Sequence, residues 1–207
     1  MTTSRIDPNL LERAAGVLRA GGLVAYPTDT VYGLAALPAD DAAVERLFAA
    51  KGRPAERAMP LLIASPADLA SVAADVPEVA QRLMRAFWPG ALTVVLRRAP
   101  AFRSPAIAGD TVGVRVPDHP VPRELVWLLG SPITGTSANL SGRPEALTAY
   151  DVREQLGDTV DLVIDGGRCP GGRPSTVVDC AVEPSRVLRE GAISREELVR
   201  AAGVRFE

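Results

Sequence analysis

The chain has 207 residues, of which 47% are hydrophobic, and a formal net charge of −2, so it can bury a substantial core as one domain, 1–207. The slight acidity argues against capture of DNA or RNA by overall charge, although a local basic concavity remains compatible with it. No apolar run approaches the roughly 18 residues of a membrane span, and the N-terminus lacks a signal-peptide core. We therefore expect a cytoplasmic protein that does not contact membranes.

Helix and strand patterns alternate along the chain without repeats. Asp7 and Pro8 read as the cap and first residue of a helix that closes at Gly21. Further helices are expected at 40–51, from 66, at 78–87, 121–129 and 149–156, and from 194, and strands at 23–27, 61–64, 91–97, 111–116, 133–136, 162–165, 176–179 and 186–188. At least six strands mixed with helices predict an α/β fold, in which helices flank a twisted sheet of parallel and antiparallel strands.

The histidine and cysteine content excludes several chemistries. His119 is the only histidine and follows a predicted strand in Asp118-His119-Pro120, where a turn or capping role is favoured over catalysis. A multi-histidine metal site is therefore excluded. Cys169 and Cys180 form no CxxC pair, which predicts packing thiols. The chain has neither a P-loop nor a Rossmann fingerprint, so any nucleotide must be held in another way.

The only lysine, Lys51, stands in Lys51-Gly52-Arg53-Pro54 at the end of a predicted helix. Val44, Leu47, Phe48 and Lys51 follow helical spacing, so the lysine lies on the buried stripe. Gly52 then ends the helix, and the two cations could form a receptor for a polyanion. Coding bias towards arginine and the helix dipole explain the same residues without a ligand.

The predicted strand 111–116 reads Thr-Val-Gly-Val-Arg-Val. A period of two places the three valines on one face and Thr111, Gly113 and Arg115 on the other. The second face resembles the floor of a ligand site, because Gly113 leaves space and Arg115 can grip a carboxylate with two donors. A half-exposed sheet would also explain the pattern, but glycine would weaken such a strand.

The segment 134–142 carries small residues and hydroxyls directly after a predicted strand. Such a loop can approach phosphate closely and donate several short hydrogen bonds. An ordinary polar loop is an equally simple explanation.

Seven short segments, spread over nearly the whole chain, together resemble one family. They are Tyr26-Pro27-Thr28-Asp29-Thr30-Val31-Tyr32-Gly33-Leu34, Lys51-Gly52-Arg53-Pro54, Phe87-Trp88-Pro89-Gly90, Val114-Arg115-Val116-Pro117, Ser137-Ala138-Asn139-Leu140-Ser141-Gly142, Asp165-Gly166-Gly167 and Ser175-Thr176-Val177-Val178-Asp179. In this order they resemble the YrdC/Sua5 family of threonylcarbamoyl-adenylate synthases, with its KxR and SxN motifs. The chain is similar to the short, YrdC-type form.

The resemblance implies a fold with a concave basic cavity, and a reaction. L-threonine, bicarbonate and ATP with Mg²⁺ would give threonylcarbamoyl-AMP and pyrophosphate, and a downstream transferase complex would modify N6 of adenosine 37 in tRNA. A weak contact with tRNA itself is compatible with this, and the oligomeric state stays open.

The resemblance also implies site residues. The catalytic cations would be Lys51 and Arg53. ATP would contact these two and Thr111, Ser137, Asn139 and Arg189. Threonine would contact Thr28, Tyr32, Arg115 and Ser175. No protein metal ligand is expected, because Mg²⁺ would arrive with the ATP phosphates.

Two other functions remain open at this point. A carbamoyl-adenylate-forming domain would use carbamoyl phosphate in place of threonine. A noncatalytic RNA-binding or ribosome-assembly protein would use the same basic cavity for phosphate backbones.

Overall fold

The computed structural model describes residues 7–52, 59–107 and 109–207. In that part of the chain six α-helices occur: α1 (Pro8–Arg19), α2 (Asp41–Lys51), α3 (Glu78–Phe87), α4 (Pro120–Leu129), α5 (Ala149–Leu156) and α6 (Arg195–Ala202). The strands are β1 (Val24–Tyr26), β2 (Gly33–Ala35), β3 (Leu61–Leu62), β4 (Ala73–Ala74), β5 (Leu92–Arg98), β6 (Thr111–Arg115), β7 (Ile133–Thr134), β8 (Thr136–Ser137), β9 (Leu162–Val163), β10 (Thr176–Asp179) and β11 (Arg186–Arg189). Short 3₁₀ helices occupy Pro66–Ser71 and Gly157–Thr159.

The strands form two sheets, each with parallel and antiparallel pairs. The four-stranded sheet has the order β8-β2-β1-β9, and the seven-stranded sheet has the order β11-β10-β5-β6-β3-β7, with β4 paired to β5. β5 runs antiparallel to β6 and parallel to β10. The predicted mixed pairing is confirmed, and the strands are divided between two sheets.

Gly135 is the point where the chain passes from one sheet to the other. The strand predicted at 133–136 is split there, so that β7 pairs with β3 and β8 pairs with β2. The backbone N–H of Gly135 donates to the carbonyl of Pro60 at 2.7 Å. A Cβ at this position would lie 2.8 Å from Leu62 Cδ2, so glycine allows the close crossing without displacing the Leu62 side chain.

The helix ends follow the sequence signals. Asp7 Oδ1 accepts from Asn9 N–H at 2.9 Å to cap α1, and Gly52 ends α2 in the left-handed region with φ 57°. The predicted buried stripe of α2 is confirmed, with Lys51 among its buried residues. Among the described helices, none has the length and hydrophobicity of a bilayer span.

Helices cover one face of the seven-stranded sheet. Leu83 of α3 and Leu198 of α6 belong to the same apolar cluster as Val112 and Val114 of β6. A second cluster joins α2 and α5 to the four-stranded sheet, and a third joins α1 to α4. The other face of β6 is therefore available for a site.

The histidine and the cysteines have the structural roles predicted for them. His119 Nδ1 accepts from Val121 N–H at 3.2 Å and caps α4. Cys169 and Cys180 are buried free thiols, and burial raises the pKa of each to about 11. Both are therefore protonated at neutral pH and pack as small apolar groups.

Candidate active site

The polar face of β6 forms the floor of a cavity. Val112 and Val114 are buried in the core, whereas Thr111, Gly113 and Arg115 line a cavity of about 350 Å³. The prediction of a ligand floor from the period-two pattern is thus consistent with the structure. A Cβ on Gly113 would lie 3.3 Å from Pro60 Cβ, which shows how little space the floor leaves there.

The remaining walls come from β5, β10 and β11 of the same sheet and from 30–31, 59–60 and 135–137. The described side chains that line the cavity include the guanidinium groups of Arg115 and Arg189 and no carboxylate. This charge distribution suits an anionic ligand.

Arg115 is fixed in place by three protein acceptors. Its Nη2 donates to Asp29 Oδ1 at 2.6 Å, its Nη1 to Thr30 Oγ1 at 3.0 Å and its Nε to the Gly90 carbonyl at 2.8 Å. The Arg115 side chain is only 8% exposed. Each terminal nitrogen carries a second N–H, which meets no acceptor among the described residues. Arg115 can therefore donate to a ligand carboxylate while Asp29 holds it.

Thr28 and Tyr32 shape the loop next to this arginine. The Thr28 hydroxyl donates to the Val31 carbonyl at 2.6 Å and accepts from Thr30 N–H at 3.0 Å. The Tyr32 hydroxyl donates to the Gly167 carbonyl at 2.8 Å, and burial raises the pKa of Tyr32 to about 12. Both residues line a smaller recess of about 30 Å³ that Arg115 also borders. They lie where threonine contacts were predicted, with their hydroxyls bonded to the protein.

Ser175 and Arg189 meet at the β10 and β11 side of the cavity. Ser175 Oγ lies 2.8 Å from Thr93 Oγ1, and Arg189 Nη2 donates to the Ser175 carbonyl at 2.8 Å. Burial lowers the pKa of Arg189, the charge of Glu145 raises it and that of Arg115 lowers it. Arg189 and Arg115 both line the cavity, and two guanidinium groups in one cavity favour an anionic ligand.

Lys51 lies behind the cavity wall formed by Ser137. Its ammonium, in a residue that is 3% exposed, donates to the backbone carbonyls of Ser137 and, at 2.8 Å, Asn139. Ser137 Oγ donates to Asn139 Oδ1 at 2.5 Å, and Asn139 Nδ2 donates to the Arg143 carbonyl at 2.8 Å. Lys51 therefore fastens the end of α2 to the segment 137–139, of which Ser137 lines the cavity.

Most of the predicted residues converge on this region. Thr111, Arg115, Ser137, Ser175 and Arg189 line the cavity itself. Thr28 and Tyr32 line the adjoining recess, and Lys51 and Asn139 support the wall. Arg53 lies outside the described residues.

A second cavity is larger but lacks the predicted residues. It measures about 800 Å³ and lies between the 3₁₀ helix Pro66–Ser71 and α4, with Trp127, 71% exposed, on its edge. Its charged lining side chains are Asp68, Arg123 and Glu124, a mixed set that favours no single ligand charge. We therefore assign the candidate site to the smaller cavity.

The sequence analysis missed residues that complete the site. Asp29 and Thr30 hold Arg115, and Thr93 holds Ser175. Oε2 of Glu145 is buried and has no hydrogen-bond partner in the described part of the chain. An acidic residue in the loop after β1 was the available signal for Asp29, but nothing local connects it with β6.

No group of three or more His, Cys, Asp or Glu side chains within 7–52, 59–107 and 109–207 is arranged to hold a metal ion. Any divalent ion at the cavity would therefore take many of its ligands from a bound phosphate or from water.

Comparison with known proteins identifies the class. The family model Sua5_yciO_yrdC, described as Telomere recombination, matches residues 16–191. The chain therefore belongs to the Sua5/YciO/YrdC family.

Individual relatives agree with this assignment. The chain is 42% identical over 200 residues to a threonylcarbamoyl-AMP synthase from Pyrococcus abyssi and 39% identical over 199 residues to one from Bacillus subtilis. These matches cover 96% and 95% of the chain but 59% and 57% of the relatives. The chain thus spans less than two thirds of the length of these relatives.

A solved structure shares the fold. The structure of P. abyssi Sua5 complexed with L-threonine superposes with a TM-score of 0.91 and 40% identity, covering 99% of the chain and 61% of that protein.

Proposed function

We propose that the protein is an L-threonylcarbamoyladenylate synthase, which makes threonylcarbamoyl-AMP and pyrophosphate from L-threonine, bicarbonate and ATP. The observation that carries this proposal is the position of Arg115, whose remaining N–H donors border a cavity with a second guanidinium, Arg189, and no carboxylate. Relatives of about 40% identity carry the synthase name, and one was solved with L-threonine.

Threonine would bind beside Arg115 in the cavity. Arg115 would hold its carboxylate. Asp29 already orients the guanidinium, whose planar set of N–H donors matches the two oxygens of a carboxylate. Ser175, Thr28 and Tyr32 would shape the space around the rest of the amino acid. The burial of Arg115 makes this contact stronger than the same pair in water.

ATP would occupy the part of the cavity beside Arg189 and Ser137. Arg189 and Ser137 would contact phosphates directly, and Thr111 would contact the nucleotide from β6. Lys51 and Asn139 would act on the phosphates through the segment that they hold, in addition to any direct contact. Arg53, next to this helix end, would supply a further cation.

The chemistry requires alignment and charge stabilisation. The threonine amine combines with CO₂ or bicarbonate to form a carbamate, with loss of water in the second case. A carbamate oxygen then attacks the α-phosphorus, and the bond to the leaving pyrophosphate breaks. Positioned cations and hydroxyls stabilise the charge that develops on the phosphates, so a strong protein base is not needed.

Mg²⁺ would be held by the ATP phosphates. The lining hydroxyls of Thr111, Ser137 and Ser175 are oxygen donors that suit its outer contacts. When bound, the ion would neutralise phosphate charge during transfer.

The proposal extends to the setting of the reaction. The product is a mixed anhydride, so a transferase complex must accept the threonylcarbamoyl group and pass it to tRNA. A cytoplasmic location and a single catalytic domain over 1–207 belong to the same proposal, as does a weak direct contact with tRNA.

Pyrophosphate release by the purified protein tests the proposal. We expect release only when L-threonine, bicarbonate, ATP and Mg²⁺ are all present, and we expect Arg115→Lys to need far more threonine. If pyrophosphate is released with carbamoyl phosphate and without threonine, the protein is instead a carbamoyl-adenylate-forming domain. No release under any condition, together with tight RNA binding, would indicate the noncatalytic function.

A further inference from the structure

The hairpin of β10 and β11 contains an irregular register at the mouth of the cavity. Val178 is opposite Val187, but Val177 is opposite Arg189. A regular antiparallel pair would place Val177 opposite residue 188. Leu188 is therefore an extra residue, the hallmark of a β-bulge.

The bulge decides which way the following arginine faces. Val178 and Val187 both pack on the apolar core of the seven-stranded sheet, whereas Val177 lines the cavity. In a regular strand the alternation of side chains would turn Arg189 towards the core, where its charge would be buried among valines. The bulge returns Arg189 to the cavity face and leaves Leu188 there as well, so that two consecutive residues line the cavity.

Leu188 is thereby a large apolar side chain in an exposed position. It is 53% exposed, although it lies in a strand that has the core on its other face. Val177 of β10 and Val95 of β5 line the same cavity, so Leu188 extends an apolar wall. Thr93 and Ser175, whose hydroxyls lie 2.8 Å apart, form the polar lining that adjoins this wall.

We propose that Leu188 packs against the nucleobase of the bound nucleotide, and that the bulge exists to place this contact beside the phosphate-binding Arg189. The inference rests on the proposed function, because it assumes that a nucleotide occupies the cavity. A flat heteroaromatic ring gains most from an apolar wall, and a triphosphate alone gains nothing from it. Leu188 would thus select nucleoside triphosphates over simpler polyphosphates.

Binding measured by calorimetry with two probes tests this contact. ATP and inorganic tripolyphosphate are compared on the wild type, Leu188→Ala, Leu188→Met and Val182→Ala. We expect Leu188→Ala to weaken ATP binding by roughly tenfold, to leave tripolyphosphate binding unchanged, and Leu188→Met to keep most of the ATP affinity. Val182, also exposed and located between the same two strands, is the matched control, and its replacement should change neither probe.

The outcomes separate the inference from the proposed function. Unchanged ATP affinity in Leu188→Ala, or an equal loss for ATP and tripolyphosphate, would overturn the base contact. If the wild type releases pyrophosphate as proposed while Leu188→Ala binds ATP normally, the function stands and the inference fails. If the wild type binds neither probe, the proposed function fails as well.

Discussion

Two buried cations support the candidate site in different ways. Arg115, at the end of β6, is paired with the carboxylate of Asp29 and keeps N–H donors that no described residue satisfies. Lys51, at the end of α2, is buried to a similar degree, and its ammonium donates to the backbone carbonyls of Ser137 and Asn139. Burial and positive charge alone therefore do not define a ligand contact.

The difference follows from the chemistry of the partners. Asp29 lies 2.6 Å from Arg115, and its opposite charge offsets part of the cost of burying the guanidinium. The ammonium of Lys51 bonds to two backbone carbonyl dipoles, and these bonds hold the segment 137–139 in a fixed position. In the proposed function Arg115 would bind the ligand directly, whereas the described bonds of Lys51 hold the neighbouring wall.

The largest expected effect is that of replacing Arg115. Arg115→Ala should lower the free energy of unfolding by about 3–5 kcal/mol, because it leaves the Asp29 carboxylate without its partner. Denaturant titration measures this loss. The double variant Arg115→Ala/Asp29→Ala should be more stable than the single one, and additive losses would show that the two charges are not coupled.

Arg115→Lys keeps the positive charge but removes the paired donors of the guanidinium, so it tests the role of Arg115 in substrate binding. We expect the threonine KM to rise by about ten- to a hundredfold, which corresponds to one charge-assisted hydrogen bond. The ATP KM should change much less. Steady-state pyrophosphate release with each substrate varied measures both, and an equal rise in the two constants would contradict a threonine-specific role.

Replacing Lys51 should have a different effect from replacing Arg115. Lys51→Met removes the bonds to Ser137 and Asn139 with little change in volume, and we expect a loss of about 1–3 kcal/mol in the free energy of unfolding. The turnover number should fall while the threonine KM stays close to that of the wild type. A rise in the threonine KM as large as that in Arg115→Lys would contradict the different roles expected of Lys51 and Arg115.

Gly113→Ala tests the space in front of Arg115. The new methyl would lie 3.3–3.5 Å from Pro60 and Thr93 atoms, so the free energy of unfolding should change by less than about 1 kcal/mol. It would, however, occupy the floor, and we expect a rise of about tenfold in a substrate KM. Gly16→Ala, in α1 with nothing within 4 Å of the new atom, is the control and should leave kinetics unchanged.

The smallest effect concerns His119, which lies near the Asp29 charge. Burial lowers the pKa of His119 below its ordinary value of 6.5, although Asp29 and Asp118 act in the opposite direction. The folded protein therefore binds this proton more weakly than the unfolded chain does, and stability should fall as the pH drops below 6.5. His119→Asn keeps a capping side chain and should flatten this part of the stability curve, whereas an unchanged curve would contradict the shift.

Sequence reasoning succeeded where a local pattern carried the information. The period of two in β6 was enough to predict the floor, and helical spacing was enough to place Lys51 on a buried stripe. The helix Ala149–Leu156 has the bounds that its spacing predicted. Caps and apolar spacing act within a few residues, so one sequence suffices to read them.

Sequence reasoning did not predict two short strands or the contacts between residues that are far apart in the sequence. The sequence analysis did not predict β2 and β4, which contain three and two residues. Asp29 lies 86 positions from Arg115, and Ser137 lies 86 positions from Lys51, and no local signal connects such pairs. The bulge at Leu188 depends on the register with β10, which a single strand does not encode.

A crystal structure of the protein with L-threonine and a non-hydrolysable ATP analogue tests the central claim most directly. We predict the threonine carboxylate against Arg115 and the triphosphate beside Arg189, both within the cavity on the seven-stranded sheet. Threonine bound instead in the larger cavity next to Trp127, with Arg115 making no ligand contact, would contradict the account.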